Sequence, residues 1–298
     1  MEFINERIDK EQIFINEPMS RHTSFRIGGE ADVLINVPSV KVLSELIASL
    51  AGTGQEYFVV GRGTNLLVGD KGYRGVILKV GDLMSDIRID GDTVTAEAGT
   101  SMAKLAKAAL DASLTGLEFA AGIPGTLGGA IVMNAGAYGG EMKNVVKKVK
   151  VFDSAGNEMN LDNDTMEFSY RSSIIKDKPF VVAGAVLKLT PGRREDIEAL
   201  MNELAAKRRE KQPLEYPSAG STFKRPEGHY AGKLIMDAGL RGLRIGGAQV
   251  SEKHCGFIIN IGNATASDVS ELMEEVQQRV RKQLGVRLEP EVIKLGDF

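Results

Sequence analysis

At 298 residues, with 43% apolar and 26% charged positions, the chain has the make-up of a globular protein that buries one large core or two ordinary ones. A formal charge of −3 lacks the basic excess of a nucleic-acid partner, and no stretch approaches the ~20 apolar residues that span a bilayer. A single cysteine, Cys255, and three scattered histidines, His22, His229 and His254, exclude an internal disulfide framework and leave no metal-ligand spacing, so no metal is expected.

The first 20 residues read as a helical or irregular lead-in, and MEFINERIDKEQ lacks a signal-peptide apolar core, which fits a soluble cytoplasmic protein. Over 39–50, Val42, Leu43, Leu46, Ile47 and Leu50 recur at helical spacing, with Pro38 and Ser39 as start signals and Gly52 as the stop. A strand over 57–60 runs straight into GRGTN, and a second, over 76–80, closes this segment. Alternation over 87–90 and 94–98 about Gly91-Asp92 predicts a hairpin. A helix over 101–114 follows. Two alternating strands flank Ala155-Gly156, 180–189 reads as a buried strand, and 194–211 as a charged amphipathic helix. In that helix Lys207, Arg208, Arg209 and Lys211 form a solvated face from which one residue could be recruited to an anion. A last amphipathic helix covers 267–284, followed by a strand over 286–295. The whole reads as an α+β fold in two lobes divided near residue 192. No repeat or low-complexity tract interrupts it.

Glycine is clustered. Gly61-Arg62-Gly63-Thr64-Asn65 leaves a strand, where it is either a tight turn or a cradle in which backbone N–H groups approach an anion. It is no dinucleotide fingerprint, because GxGxxG would need glycine where Leu66 stands, and no GxxxxGK[ST] occurs. A longer cluster holds Gly122, Ile123, Pro124, Gly125, Thr126, Leu127, Gly128, Gly129 and Ala130, and continues through Asn134 to Tyr138 and Gly140. So much glycine costs backbone entropy, and a wide, flat ligand lying against backbone would account for it. Further on, YPSAGSTFKRP sets Ser221 between Gly220 and Thr222. On local evidence that serine is a nucleophile, a phosphate ligand, a proton donor or a turn residue.

Together GRGTNLLV, GLEFAAGIPGTLGGAIVMNAGAYG, FSYRSS, AGSTFKRP and LEPEV closely resemble the UDP-N-acetylenolpyruvoylglucosamine reductase family, in the family's order and over nearly the whole chain. The segment after Tyr170-Arg171 leaves no room for an extra tyrosine-bearing loop, as in the shorter, second type. The resemblance implies a two-lobed FAD-binding fold of the PCMH-type flavoprotein superfamily. Its FAD-binding lobe would occupy 1–192, in subdomains of roughly 1–80 and 81–192, and an α+β substrate lobe would occupy 193–298. It implies FAD, NADPH as reductant and a nucleotide-sugar substrate; with no histidine beside Thr64 and Asn65 the flavin is expected to be non-covalent, and a monomer without a nucleic-acid partner is expected.

By the same resemblance, Gly61 to Asn65, Gly122 to Thr126, Gly128 to Ala130 and Asn134 would line the flavin. Arg171 would stabilise an enolate, Ser221 would donate a proton, and Glu291 would assist that step. Strand alternation places Glu289 on the same face as Glu291, which is chosen by its place in the motif. Lys224 and Arg225 are expected at the substrate diphosphate, with Tyr138 and Gln249 nearby; His254 and Cys255 are expected to pack. Rival readings meet obstacles. An oxidase with FAD attached through a histidine near the first glycine loop finds Thr64 and Asn65 there. A serine hydrolase lacks GxSxG and a triad histidine. A non-catalytic sensor would not need Arg171 and Glu291.

Overall fold

The computed structural model describes residues 8–298. Of the expected lead-in, the first seven residues lie outside the described ones, and the rest includes a strand, Ile13–Pro18. The helix Val40–Thr53 begins where Ser39 accepts a hydrogen bond from Val42 N, and it buries Leu43, Leu46, Ile47 and Leu50, the apolar stripe legible in the sequence. It outruns Gly52 and ends at Gly54. The next strand, Tyr57–Val60, pairs in parallel with Tyr73–Lys79 at the edge of a four-stranded sheet that also contains Glu30–Asn36 and Ile13–Pro18.

Five antiparallel strands form a second sheet, in the order Glu158–Asp162, Val146–Phe152, Val181–Lys188, Thr93–Glu97, Ile87–Asp90. Its central strand, Val181–Lys188, is buried on both faces, as a near-continuous apolar run predicts. The short helix Leu127–Val132 packs on Val181–Lys188 and Thr93–Glu97, which brings the long glycine cluster to this sheet.

A third sheet, of Ser218–Ser221, Phe257–Asn260, Ala248–Val250 and Arg244–Ile245, packs with helices Ala231–Asp237 and Ala266–Leu284. Their core is a separate cluster that includes Ile235, Val250, Ile258, Leu272 and Val276.

The chain divides into two compact units, but not at residue 192. Among the described residues, one comprises 8–15, 33–62 and 75–208; the other comprises 16–32, 63–74 and 209–298. The reason lies in the packing. Phe25, Ile27 and Leu67 are buried in the same cluster as the C-terminal helices, and Ile293–Leu295 pairs in parallel with Leu66–Val68. The helix Arg194–Lys211, expected at the start of the second lobe, buries Ile197 and gives most of its length to the first unit. The strand expected over 286–295 is also shorter. Only Ile293–Leu295 is regular strand, preceded by an isolated bridge between Phe223 and Pro290.

The start of Ala266–Leu284 shows how a loop distant in sequence is tied into the second unit. A helix start leaves several N–H groups without intrahelical partners. Thr265 accepts from Asp268 N, while Asp70 Oδ1 takes Ala266 N (2.7 Å) and Oδ2 takes Ser267 N and Ser267 Oγ (2.9 and 2.7 Å). Burial alone would raise the Asp70 pKa, but the Ser267 hydroxyl and the two N–H groups outweigh it and hold the carboxyl below its ordinary value. A carboxyl with a depressed folded-state pKa contributes stability above its unfolded pKa and loses it as pH falls through the folded value. Asp70→Ala should therefore destabilise the protein by about 1 kcal/mol at neutral pH. Denaturant titrations of variant and parent should converge as pH drops below about 4.

Candidate active site

In the first unit the strand Tyr57–Val60 delivers Gly61 against the second glycine cluster. A Cβ at Gly61 would run into the hydroxyl of Thr126, so only glycine permits this approach. Thr126 itself bridges Ser101, and the N–H groups of Leu127 and Gly128 are taken by Thr100 O and Ala98 O, each at 2.8 Å. These bonds fasten the start of the helix to the turn after Thr93–Glu97. The preceding loop stays outside, with Pro124 exposed, and Gly129 faces outward from the helix.

Two polar atoms here have no hydrogen-bond partner among the described residues, Thr100 Oγ1 and Arg208 Nε. Arg208 is half-buried, its guanidinium 3.3 Å from where a Gly122 Cβ would stand. Burial lowers its pKa, with Tyr138 acting the other way, yet an arginine stays charged at neutral pH. Exposed glycine backbone, an orphan hydroxyl and a partly desolvated cation fit a large ligand carrying phosphate. Arg62, by contrast, forms a surface pair with Asp82 at 3.4 Å.

Arg171 sits on a hairpin tip. Ser169 and Ser172 exchange both backbone hydrogen bonds (3.1 and 3.2 Å), leaving Tyr170 and Arg171 as the two tip residues. Arg171 has φ 56°, in a position that glycine ordinarily fills in such a turn, at a cost of about 1–3 kcal/mol. Its Nη2 donates to Gly136 O at 3.1 Å, and its guanidinium lies 5.2 Å from the Tyr170 ring centre. Gly136 belongs to a second small hairpin, Gly136–Ala137 with Gly140–Glu141, whose tip carries Tyr138, half exposed with φ 52°.

The second unit holds Ser221, Lys224, Arg225, Gln249 and Glu291. Ser218 pairs with Ile259 but Ser221 pairs with Phe257, so three steps on one strand face two on the other. The extra residue forms a bulge at Ala219-Gly220, where Gly220 takes φ 76°. The bulge leaves Ser221 exposed while Thr222 and Phe223 are buried. Beyond it the chain pairs with a different partner. Glu291 N donates to Thr222 O (2.8 Å), Phe223 bridges Pro290, and Lys224 N donates to Glu289 O (2.8 Å). Glu291 is thus beside the residue that follows Ser221, and Asn65 Nδ2 pins its carbonyl at 3.0 Å.

Glu289 and Glu291 do not share an environment. Glu289 is exposed and ion-paired to Lys224 (3.3 Å), whereas Glu291 is half-buried. Arg225 stacks on Tyr230 at 3.9 Å and donates through Nε to His229 O. Gln249 lies on Ala248–Val250 and donates to Gly242 O.

His254 and Cys255 pack, as expected. His254 accepts from Gly256 N at Nδ1 and meets Phe257 edge to face, and burial lowers its pKa. Burial raises the pKa of the Cys255 thiol, with Arg241 acting the other way. Among the described residues no cluster of His, Cys, Asp and Glu could hold a metal, and no helix is long and apolar enough to cross a membrane. Sequence reasoning missed Thr100 and did not single out Arg208 from its charged helix, because only burial distinguishes them.

Comparison with known proteins adds to this geometry. The profile for "UDP-N-acetylenolpyruvoylglucosamine reductase, C-terminal domain" matches residues 212–295, and that for "FAD binding domain" matches 31–162. The chain is 54% identical over 294 residues to the UDP-N-acetylenolpyruvoylglucosamine reductase of Caldanaerobacter subterraneus subsp. tengcongensis, covering 99% of this chain and 97% of that protein. To the reductase of the same name from Clostridioides difficile it is 47% identical, over 97% of this chain and 95% of the other. The crystal structure of UDP-N-acetylenolpyruvylglucosamine reductase from Thermus caldophilus is 35% identical, with a TM-score of 0.82 over 94% of this chain and 97% of that one.

A Cβ at Gly129 would meet nothing closer than Thr126 Oγ1 at 3.8 Å, so the apoprotein tolerates a side chain there. Gly129→Val should fold with little change in stability, yet purify with far less flavin than the parent. A full complement of flavin on that variant, read from its visible absorbance, would show that this face does not line the cofactor.

Proposed function

The chain belongs to the UDP-N-acetylenolpyruvoylglucosamine reductase family, and from that premise we infer its reaction: reduction of enolpyruvyl-UDP-N-acetylglucosamine to UDP-N-acetylmuramate. It does so with bound FAD and with NADPH as reductant, in the synthesis of peptidoglycan precursors. When bound, FAD would supply the hydride-transfer chemistry that links a reduced nicotinamide to the substrate. The glycine loops around Gly61 and Gly122 to Gly129 are the residues that would hold it, with Thr100 and Arg208 as polar partners at hand.

Everything else falls to side chains. Hydride addition to the vinyl carbon leaves negative charge on the enolate and carboxylate of the substrate. On our reading Arg171 faces that charge, and its fixed planar cation suits a carboxylate better than a mobile ammonium would. The neighbouring carbon must then gain a proton, and Ser221 is placed in that role. A serine hydroxyl is a weak acid, so it serves only against a carbon as basic as that of an enolate. Glu291 assists the transfer beside it. Lys224 and Arg225 are assigned to the diphosphate, with Tyr138 and Gln249 near the nucleotide sugar. Lys224 would have to exchange Glu289, and Arg225 its contact with His229 O, for phosphate oxygens.

The observation that supports this assignment is the hydrogen bond from Glu291 N to Thr222 O, which sets the motif glutamate opposite the residue that follows the motif serine. The net charge of −3 supports a small-molecule partner rather than nucleic acid, and we take the protein to act as a monomer. A buried free thiol, a UDP-sugar substrate and a reduced nicotinamide all suit the cytoplasm.

The direct test is spectroscopic. Purified protein should be yellow and bleach with NADPH in the absence of oxygen. The colour should return with enolpyruvyl-UDP-N-acetylglucosamine but not with UDP-N-acetylglucosamine. Ser221→Ala should bleach at nearly the parental rate and recover its colour about 10²–10⁴-fold more slowly. Ser221→Cys should regain part of that loss. Arg171→Lys should slow the same step although the charge is kept. Stopped-flow traces in which Ser221→Ala slows bleaching and leaves recovery unchanged would refute the proton-donor role.

A further inference from the structure

Asn134 follows the helix Leu127–Val132, is fully buried, and takes φ 40°. Its amide is committed to protein groups. Nδ2 donates to Glu141 Oε2 at 2.7 Å and to Ser169 O at 3.0 Å, while Oδ1 accepts from Lys143 N at 2.9 Å. Both amide hydrogens are therefore used, and no donor remains for a flavin, the role that sequence resemblance suggests.

What those bonds hold is informative. Ser169 begins the hairpin whose tip carries Arg171, and Glu141 is the register partner of Gly136, whose carbonyl accepts from the Arg171 guanidinium. One side chain thus secures both ends of Arg171, the backbone that bears it and the acceptor that aims it. On the other side of the tip, Ser173 Oγ donates to Val132 O at 2.9 Å and ties the hairpin to the end of the same helix. A tip residue held at φ 56° needs such restraint to persist.

We propose that Asn134 is a positioning residue for Arg171, with Ser173 as the second arm of the clamp, and that neither residue binds the cofactor. The proposal rests on the enolate-stabilising role given to Arg171 above. Misplacing a catalytic group by about 1 Å costs on the order of 10²-fold, so the clamp should matter to the step that uses Arg171 and to no other.

The test compares parent, N134A, S173A, R171A and the N134A/R171A double variant for flavin content, bleaching by NADPH, and recovery of colour with the enolpyruvyl substrate. N134A should keep its flavin, bleach within about threefold of the parental rate, and recover about 10- to 100-fold more slowly. The double variant should be no slower in recovery than R171A alone, because Asn134 acts only through the arginine. S173A should show the same pattern more weakly, and it carries the test should N134A fail to fold. Flavin-poor N134A, losses that multiply in the double variant, or an S173A protein with normal recovery would each overturn the proposal. If the parent itself does not recover with the enolpyruvyl substrate, the reading of the reaction falls and this one with it. A normal parent with multiplying losses sinks the clamp alone.

Discussion

The second unit is organised by the backbone ladder between Thr222–Lys224 and Glu289–Glu291. Without it, the chain leaving the Gly220 bulge would keep only the bonds of Thr222 to Gly256 O and Ile258 N, and Glu291 would lose its backbone tie to the serine strand. The ladder also hands the chain on. Beyond Glu291 the strand Ile293–Leu295 runs parallel to Leu66–Val68, so the residues after the first glycine loop are buried by the last strand of the protein. Asn65 reinforces this with its bond to Glu291 O. Loop, serine strand and C-terminal strand therefore share one set of hydrogen bonds, and a disturbance in any of them should reach the others.

Part of the local backbone cost falls where chemistry is proposed. Arg171 and Tyr138 both take left-handed backbone conformations without being glycine, and each sits at the tip of a small hairpin. Neither tip could be stable alone, since a two-residue ladder contributes little. Both are held through buried Asn134, whose three hydrogen bonds would be an expensive way to fill a core if nothing depended on their geometry. The second unit uses another device for the same end: the bulge at Gly220 turns Ser221 outward while its neighbours stay buried.

Much of this was legible in the sequence where periodicity carries the signal. The helices at Val40–Thr53, Arg194–Lys211 and Ala266–Leu284 and the hairpin Ile87–Asp90 with Thr93–Glu97 follow from spacing, because a core face imposes its own period. The expected strand over 286–295 failed for the same reason in reverse. Its alternation of apolar and charged residues is real, but Glu289 to Glu291 has only the short Thr222–Lys224 segment to pair with, so regular strand begins only at Ile293. The boundary at 192 failed because periodicity is local, whereas Phe25, Ile27 and Leu67 join a core built mainly from residues between Ala219 and Val292. Motifs pointed to Arg171, Ser221 and Glu291 as candidates but not to what holds them. Nothing in the letters around Asn134 distinguishes a ligand-binding amide from one that faces inward.

The choice of groups also bears on how the site responds to acidity. A serine hydroxyl is a far weaker acid than the groups that titrate in the neutral range, so the proposed donor gives up its proton only to a strongly basic carbon. His254, the residue type that ordinarily titrates near neutrality, is half-buried, with its pKa lowered by desolvation and its Nδ1 engaged by Gly256 N. Cys255 is withdrawn in the opposite direction, its thiol pushed up by burial. Using a weak acid against a strongly basic carbon avoids any need for a group poised near neutrality. The demand is moved from acidity to placement, and placement is what the bulge, the ladder and the buried amide provide.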